Sequence, residues 1–152
     1  MKKTIISESI GVFTYKEERK VYELEKEGKR WSLLISFGQE DAYGLLKKAE
    51  NLFVCLAQFD QKAKRAIAEK LVDYKNEFWP EYDEDDEELD WDAVDAGEYD
   101  ITEEAFGEAI FLCDIQVGTD MIYCEYNDGD LFGGHRIHAF FDNDYKLIST
   151  DV

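Results

Sequence analysis

Proline is almost absent from this chain, with Pro80 alone in 152 residues. No Ser/Gly-rich tract makes up for it, so little of the chain suits a flexible linker between independent units. Long apolar runs are missing as well. The stretches at residues 52–57 and 109–113 fall far below the ~20 residues that a membrane-spanning helix needs. Lys2 and Lys3 stand near the N-terminus, but Ser7, Glu8 and Ser9 interrupt the apolar run a secretory leader would require. Cysteines number three (Cys55, Cys113 and Cys124), at unrelated spacings and each in an apolar run. An odd count without a framework reads as buried free thiols in a reducing compartment, which points to the cytoplasm. A Cys113–Cys124 bridge between neighbouring strands is the lesser alternative.

Basic charge is nearly missing from the second half. Residues 1–80 carry 15 Lys/Arg against 13 Asp/Glu, whereas residues 81–152 carry only Arg136 and Lys146 against 23 acids. The overall net charge of −19 therefore belongs to one half of the chain. Its field repels DNA phosphates and anionic membrane surfaces and attracts a cationic partner.

What is present is core material. Hydrophobic residues make up 45% of the chain, with ten Phe, nine Tyr and three Trp, which excludes a disordered chain as a whole despite the charge. The length suits one domain over residues 1–152 and is short for two. Residues 11–15, 21–25 and 30–37 are rich in β-branched and aromatic types and predict three strands of an antiparallel meander. Asp41 then offers an N-cap. Over residues 42–79, Leu45, Leu46, Ala49, Leu52, Phe53 and Leu56 recur at helical spacing, as do Ala63, Ile67, Leu71, Tyr74 and Phe78. A break near Phe59 and Asp60 divides them into a helical hairpin. Thr102, followed by Glu103 and Glu104, predicts a short capped turn or helix. Strands are then expected at 109–117, 121–126, 135–141 and 145–150, with turn signals at residues 118–120, 127–130 and 142–144. The fold class is α+β: an antiparallel sheet, from an N-terminal meander and C-terminal hairpins, packed with a central helical hairpin.

The run Thr102–Glu103–Glu104–Ala105–Phe106 is followed by a hairpin. Asp128, Gly129, Asp130, Leu131, Phe132, Gly133, Gly134 and His135 then lead into residues 137–141. With these features residues 101–152 resemble a family of uncharacterised bacterial proteins that carry a domain of unknown function and end in a D-x-D-L-F-x-G-H motif. Gly133 departs from the aromatic residue often found there. Proteins of this kind often occur in toxin–immunity clusters, so the resemblance implies an immunity-like role. It carries over no catalytic residue.

The candidate sites follow from composition. Between Glu81 and Asp100 there are 12 acids and no base, interspersed with Tyr82, Trp91 and Tyr99. A solvated loop that aids solubility explains the acids but not the aromatic residues. A partner-binding segment explains both: Asp83, Asp85, Asp86, Glu87, Glu88, Asp90 and Asp92 as charge donors, with Tyr82 and Trp91 as anchors. Asp128, Gly129, Asp130, Phe132, Gly134 and His135 read as a structural turn, with His135 pinning it. The alternative is a divalent-metal enzyme centred on Asp128, Asp130 and His135, but the spacing lacks EF-hand order. His135 and His138, three apart on one strand, would face opposite ways. No Gly-x-Ser-x-Gly motif, activated thiol or nucleotide loop is present. No cofactor is expected. The chain thus reads as a non-enzymatic, acidic, cytoplasmic binding protein that neutralises a basic protein, such as a cognate toxin. The rival within binding proteins is a DNA mimic that blocks a nucleic-acid-binding target.

Overall fold

A computed structural model of the chain describes residues 3–35, 42–78 and 101–152. Four strands, Thr4–Ser7 (β1), Gly11–Lys16 (β2), Val21–Lys26 (β3) and Lys29–Leu34 (β4), form an antiparallel meander. Lys26 pairs with Lys29, which leaves a two-residue turn with Glu27 at φ +52° and Gly28 at φ +78°. Two consecutive positive φ values match the twist of the strands they join. β1 is one strand more than the sequence pattern foretells, since the polarity of Thr4, Ile5, Ile6 and Ser7 does not alternate although their burial does.

After β4 the chain runs through α1 (Ala42–Val54), α2 (Leu56–Phe78) and α3 (Glu103–Ala109) before re-entering the sheet as β5 (Phe111–Val117). β5 lies parallel to β4, and the helices supply the long crossover that a parallel pair needs. β6 (Ile122–Asn127), β7 (Ile137–Phe141) and β8 (Leu147–Asp151) follow as antiparallel neighbours, giving one eight-stranded sheet in sequence order. The C-terminal strands thus extend the N-terminal meander, and the fold is α+β.

Side-chain alternation divides the sheet into two faces. One face carries Tyr22, Leu33, Val117, Ile122 and Phe141 in one cross-strand row, and Leu24, Trp31, Ile115, Cys124 and Ala139 in the next. Most of these are buried in the core. Fully burying a residue such as Leu or Phe stabilises by ~1.5–3 kcal/mol, so this face decides the orientation of every strand. The helices cover it. Trp31 meets Phe53 of α1 edge-on at 6.0 Å, and Phe59 of α2 meets Phe141 at 4.9 Å. Two bulges keep the pattern in phase, one around Cys113 and one at Ile148.

Local chemistry sets the helix ends. α1 and α2 are separated at Cys55, whose amide reaches Leu52 O at 3.1 Å in a tightened turn, so the break falls four residues before the predicted one. Thr102 caps α3 by accepting from the Ala105 amide at 3.1 Å. Asn76 ties the end of α2 to the start of α3. Its side chain donates to Ile101 O at 3.0 Å and accepts from the Ile101 amide at 2.8 Å. β5 begins two residues after the predicted start because α3 continues to Ala109. β7 and β8 also each begin two residues late, since residues 131–136 and 142–146 are spent on turns. All three cysteines are free thiols, but only Cys124 is buried; Cys55 and Cys113 are partly exposed at a helix break and a bulge. No helix among the described residues is long and apolar enough to cross a membrane.

Candidate functional site

The second face of the sheet is built by the same alternation, offset by one residue. One cross-strand row reads Glu25, Arg30, Asp114, Glu125, His138 and Asp151. Its neighbour reads Thr14, Glu23, Ser32, Gln116, Tyr123, Phe140 and Ser149. The first is a row of charge; the second holds hydrogen-bonding groups and two aromatic rings. An apolar face toward the helices and a polar face away from them is ordinary for an antiparallel sheet. A cross-strand line of carboxylates is less so, because like charges on adjacent strands repel unless something separates them.

Arg30 separates Glu25 from Asp114 and His138 separates Glu125 from Asp151, whereas Asp114 and Glu125 are direct cross-strand partners. Arg30 grips Asp114 with two parallel bonds, Nε to Oδ1 and Nη2 to Oδ2, both 2.9 Å. The fork geometry makes this the strongest kind of ion pair. Asp114 is buried beneath it, and its bond holds the guanidinium pKa above the usual arginine value. His138 sits between two carboxylates, with Nδ1 at 3.0 Å from Asp151 and Nε2 at 3.7 Å from Glu125. Glu23, in the second row, pairs with Arg19 at 2.6 Å. Tyr123 packs against Phe140 with ring centroids 4.8 Å apart and the rings tilted by 48°. Burial, followed by the charge of Glu125, pushes the Tyr123 phenol up to about 12. The β6–β8 end of this face is open: the side chains of His138 and Asp151 are 39% and 70% exposed, and Phe140 is exposed.

Tyr82, Asp83, Asp85, Asp86, Glu87, Glu88, Asp90, Trp91 and Asp92 fall outside the described residues. Of the expected turn residues, the structure brings Asp128, Gly129, Asp130, Phe132 and Gly134 into one compact loop. Asp128 is buried, and its carboxylate accepts from the amides of Asp130, Phe132 and Gly134 at 2.9–3.0 Å. Phe132 is fully buried against Phe106 of α3. The carboxylate of Asp128 is thus the hub of the turn. His135 is exposed and precedes β7, so only His138 sits on the strand. The row through Glu25, Arg30, Asp114, Glu125, His138 and Asp151 escaped sequence reasoning altogether. Its residues are scattered over five sequence regions, and only the strand register joins them.

The helical side mixes both signs. Residues 42–78 hold seven Lys/Arg against five Asp/Glu. A groove of about 630 Å³ between α2 and α3 sets Lys64 and Arg65 against Glu103, Glu104 and Glu108.

These features define an α+β protein with a helix-covered face and a carboxylate-lined face. The chain belongs to the family described as an uncharacterized protein conserved in bacteria (DUF2262), whose model matches residues 7–152. The match extends well beyond the C-terminal third where the resemblance was first visible. No curated protein matches the chain. No solved structure matches it either.

Proposed function

We propose that this protein is a non-enzymatic, acidic binding protein of the bacterial cytoplasm that captures a basic protein, in the manner of an immunity protein that occludes a cationic toxin. The observation that carries the reading is the separation of charge by sign. Residues 42–78, which form α1 and α2, hold a small excess of bases, whereas residues 81–152 hold 23 acids against two bases. A field of one sign steers an oppositely charged partner and orients it before contact. Tyr82 and Trp91, among Asp83, Asp85, Asp86, Glu87, Glu88, Asp90 and Asp92, supply apolar anchors beside that charge.

The test is association kinetics with the product of the neighbouring open reading frame, co-expressed and purified at low salt. Raising the ionic strength from low to high should slow association by ~10-fold or more, because steering is screened. Replacing the acids of residues 83–92 by Asn or Gln should slow association likewise and leave the melting temperature in place. A co-expressed basic product that fails to bind at low salt, or an association rate indifferent to salt, overturns the proposal.

A further inference from the structure

The open end of the second sheet face has a more specific chemistry than its charge alone. Two cross-strand triplets lie side by side there, Glu125, His138 and Asp151 in one and Tyr123, Phe140 and Ser149 in the other. The first sets two carboxylates on either side of an imidazole. The second sets a tilted aromatic pair next to them, at 4.8 Å between ring centroids. Carboxylates beside an aromatic face are the two halves of a site for a guanidinium or ammonium group: ion pairing from one side, cation–π contact from the other.

We propose that this grid on β6, β7 and β8 seats an arginine- or lysine-bearing segment of a protein partner. The inference rests on the binding reading above and deepens it by naming where the cation goes. Charge complementarity selects the occupant. The two basic residues of the C-terminal half, Arg136 and Lys146, are outside the grid, and the nearest cation in the same row, Arg30, is committed to Asp114. Phe140 and Asp151 are both exposed, so an incoming side chain meets them without a rearrangement of the strands. An apolar partner would have to desolvate both carboxylates with only the His138 ring between them, and an acidic one would be repelled. The helical side offers no comparable grid, since its groove mixes both signs.

The experiment uses the full-length, isotopically labelled chain and, as probe, a short capped peptide of alternating Arg and Gly, titrated at low and at high salt. The expected result is a salt-sensitive shift of the Tyr123 and Phe140 ring signals and of the amides at 125, 138 and 151. The Glu125→Gln/Asp151→Asn variant should then bind ~10-fold or more weakly at an unchanged melting temperature, and Phe140→Ala should weaken binding without altering the salt dependence. Shifts that gather at residues 82–92 or on the helices would overturn this placement and leave the acidic binding reading standing. So would an affinity untouched in the folded double variant. A chain that shows no salt-dependent shift anywhere would overturn both.

Discussion

The Asp128 carboxylate accepts a hydrogen bond from the Gly134 amide at 3.0 Å, six residues farther along the chain. It also binds the amides of Asp130 at 3.0 Å and Phe132 at 2.9 Å. One side chain thus satisfies three backbone donors and seats Phe132 in the core. Asp128→Ala leaves those donors without a partner; the buried Phe132 amide, once orphaned, costs ~1–3 kcal/mol, while the part-buried Asp130 and Gly134 amides can turn to water. The expected loss is about 1–3 kcal/mol, read from urea unfolding. Asp128→Asn keeps the shape and an acceptor oxygen and should lose less. A variant as stable as the parent would show that the loop finds other acceptors.

Gly129 and Gly28 both take a positive φ, +59° and +78°, yet they should tolerate a side chain differently. A Cβ on Gly129 would enter the van der Waals shell of the Ala109 carbonyl oxygen, while nothing lies within 4 Å of one on Gly28. Gly129→Ala therefore combines backbone strain with a collision against the end of α3, and should cost about 2–3 kcal/mol. Gly28→Asn should cost under ~1 kcal/mol, since Asn accepts this conformation and meets open space. Equal melting temperatures for the two variants would contradict the collision.

Alkaline pH should destabilise the fold from about pH 9 upward. Burial, then the charges of Cys124 and Asp60, raises the Tyr126 phenol, which donates to Asp60 Oδ1 at 2.8 Å. Burial likewise raises the Cys124 thiol. Both groups hold their protons in the folded chain after the unfolded chain has released its own. Stability is therefore fully present below the unfolded values, 9.0 for the thiol and 10.0 for the phenol, and is lost as pH rises beyond them. Lys48, whose value is lowered by desolvation, works the other way and blunts the slope. Tyr126→Phe should flatten the decline above pH 10, measured as melting temperature against pH, and an unchanged slope would remove Tyr126 as a cause.

Much of this fold was legible because its signals are local. The helical stripes through Leu45, Ala49 and Leu52 and through Ala63, Ile67 and Leu71 mark the faces that are buried. Thr102 is the cap its position suggests. The turn around Asp128 was legible as a turn, but its hub was not, because a carboxylate reaching three amides depends on the loop's closed path. The row from Glu25 to Asp151 was invisible for a different reason. Its members are brought together by pairings of 84 positions between Arg30 and Asp114 and of 13 between His138 and Asp151, and no periodicity spans such distances. The parallel pairing of β4 with β5 decides that row, and strand order is a property of packing.

Lys48 joins three parts of the chain that sequence never places together. From α1 its ammonium donates to Gly118 O at 2.6 Å and Thr119 O at 3.3 Å in the β5–β6 turn, and to the Asn143 side chain in the β7–β8 turn. Asn143 closes the triangle by donating to Thr119 O at 3.2 Å. Hydrogen bonds from a charged donor are worth ~1.5–3 kcal/mol, so Lys48→Met, which keeps the stem, should destabilise by about 2 kcal/mol. The loss should be local before it is global: amide exchange at residues 118–121 and 142–146 should accelerate while the core of β6 stays protected. Lys48→Arg should not restore the parent, because a planar fork cannot place one point donor among carbonyls from two turns. Uniform acceleration across the whole sheet would mean that Lys48 supports the core and not the corner.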